Sequence, residues 1–156
     1  TKTRWVRPRA VGDWGGQGAS AGMSGWRGWA GYARTETWER ADFHRYLQDI
    51  LGNENSLGFG LSEGERLAAL ALGRLKHWPR GVEYDIDDLC VHPAWQGRGV
   101  GSALLERIGE CARARGFCEV ALLTRRDAPA HAFYQKNGFA DAEWRAWMTR
   151  PCQEDM

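Results

Sequence analysis

Between residues 55 and 91 three apolar runs follow one another with only tight turns between them. "NSLGFGL" passes through "SEGE" into "RLAALALGRLKHW", and "PRG" then leads into "VEYDIDDLCV". Connections this short join antiparallel neighbours, because a parallel crossover needs a dozen or more residues. The stretch therefore reads as an antiparallel meander. It runs straight into "VHPAWQGRGVGSALL", Val91 to Leu105, where Gly97, Gly99 and Gly101 precede a helical pattern. Val100, Leu104, Ile108 and Cys111 form the apolar stripe of that helix, over about 99–115, and Gly116 closes it.

The rest of the chain completes the order. "TRWVRPR" alternates as a short strand ending near Pro8. Residues 12–31 are rich in glycine, yet Trp26, Trp29 and Tyr32 recur at three-residue spacing and suggest a weak helix over about 22–33. "RADFHRYLQDIL" is a stronger helix, with Phe43, Tyr46, Leu47 and Ile50 on one face. "CEVALLT" reads as a short strand buried on both faces. "APAHAFYQKN" reads as a helix, with Pro129 in its first turn and Gly138 just past its end. "AEWRAWMTR" reads as a closing strand. The order βααβββαβαβ predicts an α/β fold, a mixed and mainly antiparallel sheet flanked by helices. The 156 residues suit a single domain, 1–156.

Composition excludes several classes. A formal net charge of +1 gives no field suited to nucleic acid or an anionic membrane. No apolar run approaches the ~20 residues that span a bilayer. The four cysteines, Cys90, Cys111, Cys118 and Cys152, form neither a C-x-x-C pair nor a zinc-like spacing with histidine, so no metal is expected. Scattered single cysteines and a start unlike a signal peptide fit a soluble protein of the reducing cytoplasm.

A helix N-terminus offers about four unpaired N–H groups and a partial positive charge. Glycines there remove side chains and permit the positive φ of an anion-cradling nest, and Arg98 can add charge. The expected ligand is a phosphate or pyrophosphate. No lysine follows as in a P-loop, and G-x-G-x-G is not the dinucleotide spacing G-x-G-x-x-G. A turn that lets helix and strand pack closely accounts for the same glycines.

The neighbouring residues add a resemblance. "V-x-P-x-x-Q-G-R-G-V-G-x-x-L-L" is similar to the acyl-CoA pyrophosphate loop of the GNAT N-acetyltransferase superfamily, Q/R-x-x-G-x-G/A, on Gln96, Gly99 and Gly101. "LLTRRDAPAHAFYQKNGF" resembles that family's T-x-x-x-N-x-x-A-x-x-F-Y-x-x-x-G-F. Together they cover about residues 57–148. "YDIDDLCV" resembles "Y-L-E-D-F-F-V" of the polyamine and thialysine acetyltransferase branch, where the first acid of the pair is the assigned base.

The resemblance implies an acetyl-CoA-dependent N-acetyltransferase acting on a primary amine by direct attack in a ternary complex. Polyamines, diamines, amino acids and aminoglycosides fit as acceptors. A peptide or protein acceptor, or a non-catalytic acyl-CoA-binding regulatory module, are the alternatives. The strand backbone at Leu89, Cys90 and Val91 falls where the family pairs with the pantetheine arm of coenzyme A. The pyrophosphate loop falls on Gln96, Gly97, Arg98, Gly99, Val100, Gly101 and Ser102. Asp127, where the family often has asparagine, and Phe133 complete the implied cofactor contacts, with Asp127 also a candidate N-cap. Tyr134 matches the tyrosine that lies near the sulfur and protonates the departing thiolate. Asp87 is the implied base, with Asp85 next and Asp88 matching the second acid of the pair. Regular alternation puts Glu83, Asp85 and Asp87 on one face and Tyr84, Ile86 and Asp88 on the other, and a bulge would shift that register. The acids would also attract a cationic amine. The family admits a homodimer.

Overall fold

The computed structural model describes residues 3–9, 45–46, 48–50, 52–63 and 66–153. The expected helix over 22–33 lies outside them. Residues 45–46 and 48–50 are helical, as expected within "RADFHRYLQDIL". The strands are β1 (Thr3–Arg9), β2 (Ser56–Glu63), β3 (Arg66–Trp78) and β4 (Gly81–Val91), then β5 (Glu119–Leu122). Helix α1 (Val100–Ala114) lies between β4 and β5, and α2 (Pro129–Lys136) follows β5. The sheet order is β1-β2-β3-β4-β5. Neighbours are antiparallel except β4 and β5, which run parallel because α1 crosses between them.

The largest buried cluster lies on one face of the sheet, while Leu70, Leu72 and Cys90 are buried on the other. Leu57, Phe59 and Leu61 of β2, Ala69 and Ala71 of β3, and Tyr84, Ile86, Leu89 and Val91 of β4 gather in that cluster. Leu104, Leu105 and Ile108 of α1 and Ala130 and Tyr134 of α2 pack onto them. The α1 stripe is therefore the one the sequence marks, with Leu104 and Ile108 essentially sealed. Tyr84 is fully buried, and its hydroxyl donates to the Leu57 carbonyl at 2.7 Å. That bond satisfies a phenol which burial would otherwise leave unpaired.

Strand β4 does not alternate regularly. Leu72 pairs with Asp88 while the next residue, Gly73, pairs with Ile86, so Asp87 is the extra residue of a bulge. Tyr84 and Ile86 face the core before the bulge, and Leu89 and Val91 face it afterwards. Asp88 is thereby turned onto the face of Glu83, Asp85 and Asp87, the opposite of its place in a regular strand.

The end of the chain departs from expectation. Residues 145–151 carry no regular structure, so the closing strand does not form. Side chains anchor this segment instead. Arg145 reaches Glu83 at 3.1 Å and Glu119 at 3.8 Å, and its guanidinium lies 4.2 Å from the Trp144 ring centre. With no strand beyond it among the described residues, β5 is a half-buried edge rather than a strand covered on both faces.

Candidate active site

The loop between β4 and α1 is closed by its own polar groups. The Ala94 amide donates to His92 Nδ1 at 3.0 Å, and the Trp95 amide donates to the His92 carbonyl at 2.9 Å. Gln96 Nε2 donates to the Val91 carbonyl at 3.2 Å and ties the loop to the end of β4. His92 is thus a loop residue, as its position suggests.

The three glycines divide their work. Gly97 and Gly99 have φ of 74° and 75°, and a Cβ on either would meet nothing within 4 Å. Their backbone shape needs glycine, and the space around them is open. Gly99 is the N-cap of α1 and supplies no side-chain hydrogen bond, so no side chain caps the first-turn N–H groups there. Gly101 does something else. It is buried, and a Cβ there would lie 3.0 Å from Phe133 Cζ and 3.5 Å from Val91 Cγ2. Close packing accounts for Gly101, whereas Gly97 and Gly99 stand in open space at the helix mouth. Arg98 is exposed beside them, and Val100 and Ser102 are half-buried in the first turn.

A second opening adjoins the loop. Parallel pairing runs from Glu83–Glu119 to Ile86–Leu122 and stops, while β4 continues to Val91. Beyond Ile86, the edge of β4 that faced β5 has no strand partner among the described residues. Leu89, Cys90 and Val91 lie on this stretch, their side chains buried. Burial raises the Cys90 thiol well above its usual value, which makes it an inert apolar side chain.

Tyr134 stands on α2, 4% exposed, edge-on to Phe133 at 5.3 Å and Phe139 at 5.6 Å. Burial raises its phenol well above the ordinary range, and the charge of Asp88 adds to the effect. It also lines a cleft of about 1110 Å³ that runs along the β5 edge past Asp85, Thr124 and Trp144.

The acids of β4 differ in their partners. Asp87 takes a bidentate pair from Arg74, at 2.9 and 3.0 Å. Asp85 is 2.6 Å from Lys76. For Glu83, 2% exposed, burial would raise the carboxyl, but hydrogen bonds from Trp78 and Arg145 hold it below the usual carboxylate range. Cross-strand cations therefore compensate most of the expected negative field. Asp88 alone of the four has no ion pair among the described residues, and its Oδ1 is buried without a hydrogen-bond partner. Burial pushes its carboxyl up to about 6 against a backbone hydrogen bond from Leu89, and the Asp87 charge adds to the rise.

Asp127 does not cap α2. The N-cap is Ala128, and the Asp127 carboxylate is held by Arg125 at 3.0 and 2.7 Å. A guanidinium two residues away outcompetes the helix amides for it. His131 faces Asp141 at 2.6 Å, which explains its half-buried place. Thr124, whose Oγ1 is also buried and unpartnered, was not singled out from the sequence. Its signal was present as the first letter of "TRRDAPAHAFY".

Among the described residues no cluster of His, Cys, Asp and Glu could hold a metal, and no helix is long and apolar enough to cross a membrane. The Acetyltransferase (GNAT) family model matches residues 24–139. The chain is a GNAT-family N-acetyltransferase. It is 29% identical over 128 residues to the aminoglycoside N(6')-acetyltransferase type 1 of Stenotrophomonas maltophilia, covering 77% of this chain and 84% of the relative. It is 32% identical over 104 residues to the N-alpha-acetyltransferase RimI of Mycobacterium tuberculosis, covering 67% of this chain and 62% of that protein. A ribosomal-protein-alanine N-acetyltransferase from Brucella melitensis biovar Abortus 2308 shares the fold. Its TM-score is 0.70 at 16% identity, over 96% of this chain and 99% of that one. GNAT enzymes generally take their acetyl group from acetyl-CoA.

Proposed function

We propose that this enzyme transfers the acetyl group of acetyl-CoA to a primary amine of a small molecule, a polyamine, diamine, amino acid or aminoglycoside. One observation carries the cofactor assignment: two positive-φ glycines stand in open space at the mouth of α1, next to a β4 edge that has no strand partner among the described residues. Gly97, Arg98, Gly99 and the first-turn amides of α1 would hold the pyrophosphate. Backbone groups of Leu89, Cys90 and Val91 would pair with the pantetheine amides. When bound, acetyl-CoA supplies the thioester. Tyr134 donates a hydrogen bond and then a proton to the departing sulfur. Gln96 contributes by fixing the loop, and Phe133 by filling the space that Gly101 leaves.

Asp85 and Asp87 remain near the acceptor end as charged partners of Lys76 and Arg74. The likeness to an aminoglycoside N-acetyltransferase supports a small polar amine. A peptide α-amine is the second reading, favoured by the likeness to RimI.

The test is release of free thiol from acetyl-CoA over a panel of polyamines, amino acids, aminoglycosides and N-terminal peptides. Turnover with a small amine bears the proposal out, and turnover with peptides alone selects the second reading. Cofactor binding without turnover on any amine would leave only a binding module. Gly99→Val is expected to weaken coenzyme A binding about tenfold or more by calorimetry. A β-branched residue disfavours φ of 75°, and its side chain would enter the cradle. Unchanged affinity would remove the loop from the cofactor site.

A further inference from the structure

Among the described residues, the buried side-chain oxygens without a hydrogen-bond partner are Asp88 Oδ1 and Thr124 Oγ1. Buried polar atoms are nearly always paired, so two orphans invite a ligand. Along the backbone both lie just past the point where β4 and β5 part. Ile86–Leu122 is the last pair of β4 with β5; Asp88 lies two residues beyond it on β4, and Thr124 two residues beyond it past the end of β5. We propose that the acceptor amine sits between Asp88 and Thr124 and that Asp88 takes its proton. This rests on the acetyltransferase reading above and moves the base from Asp87 to Asp88.

The bulge makes the assignment possible. It turns Asp88 onto the face of the other acids while leaving Asp87 opposite Arg74. The Asp87 carboxylate is taken up by Arg74 and that of Asp85 by Lys76, whereas Asp88 has no ion pair among the described residues and keeps one oxygen unpartnered. The groups that act on Asp88 or respond to it are Asp87 and Cys90 of β4, Tyr46 of the helical residues 45–46, and Tyr134 of α2; Arg74 of β3 is committed to Asp87. With its carboxyl raised to about 6, Asp88 is ionised at neutral pH and close to the basicity that general-base catalysis favours.

The step balances in atoms and protons. The neutral amine attacks the thioester carbonyl carbon, and the C–N bond forms. Its surplus N–H proton passes to Asp88, the C–S bond breaks, and the sulfur takes a proton from Tyr134. Return of the Asp88 proton to Tyr134, directly or through water, restores both groups. Amine and thioester become amide and thiol. Thr124 is a positioning residue that orients the amine toward Asp88.

The experiment compares wild type, Asp88→Asn, Asp87→Asn and Thr124→Val across pH 5 to 8 on the best acceptor of the panel, beside calorimetry with coenzyme A and thermal melts. Asp88→Asn is expected to lower kcat about 10²-fold at pH 7.5 and to leave coenzyme A affinity intact. The ratio of wild-type to Asp88→Asn rates, which cancels the acceptor's own titration, rises with pH through about 6 and then levels. Asp87→Asn keeps that limb, and Thr124→Val raises KM several-fold more than it lowers kcat. Asp88→Asn melts no lower than wild type at pH 7.5, since burial opposes the charge it removes. A wild-type rate retained by Asp88→Asn, loss of the limb in Asp87→Asn, or failure of Asp88→Asn to fold overturns the proposal. Wild-type inactivity on every amine fails the functional reading itself and is seen before any variant is made.

Discussion

Gly73→Ala is expected to destabilise the fold by about 3 kcal/mol, the upper end of what overpacking usually costs. A Cβ at Gly73 would lie 2.4 Å from the Asp85 carbonyl oxygen and 2.7 Å from Tyr84 Cε2. Neither neighbour can give way. The carbonyl belongs to the β4 backbone, paired on both sides. The Tyr84 ring is fully buried, set edge-on to Phe59 at 5.3 Å and tied through its hydroxyl to Leu57. Relief requires moving β4 at its bulge, next to the acids. For a chain of this length the loss corresponds to a fall in Tm of roughly 6–12 °C. Thermal and urea melts of the purified variant measure it. A variant that melts with the wild type would show that β4 yields there, and the rigid placement of Asp87 and Asp88 would lose its support.

The meander, the α1 stripe and the positive-φ glycines before α1 were legible because each depends on local rules. Turn length fixes the direction of neighbouring strands, helical spacing fixes which face is buried, and positive φ asks for glycine. The partners of the β4 acids were not legible, since they depend on register. Asp85 meets Lys76 through the register that the β3–β4 turn sets, and Asp87, the extra residue of the bulge, meets Arg74. Sequence alternation placed Asp88 with Tyr84 and Ile86, and the bulge turned it away. The closing strand failed for a related reason. "AEWRAWMTR" has β-type composition, yet its fate turns on Arg145 finding Glu83 and Glu119, contacts more than twenty residues distant in sequence. Asp127 had the right residue type for a cap, but Arg125 holds its carboxylate instead.

Tyr134→Phe is expected to lower kcat by about 10² to 10⁴, the usual span for a positioned proton donor. The ring contacts with Phe133 and Phe139 are kept, so the melting temperature and coenzyme A affinity should change little. The raised phenol pKa sharpens the expectation. A buried tyrosine holds its proton through the physiological range and is always available as a donor, but it surrenders the proton reluctantly. A thiolate, whose conjugate acid has a pKa near ~8.5, is too weak a base to take it unaided. Part of that reluctance comes from the nearby Asp88 charge. When Asp88 accepts the amine proton it becomes neutral, that repulsion vanishes, and the phenol becomes a stronger acid just as the sulfur departs. The two groups would then act as a coupled pair, and their removal should not be additive. In the double variant Asp88→Asn with Tyr134→Phe, kcat should fall well short of the product of the two single losses. Strict multiplication of the two effects would show that they work independently and would count against the coupling.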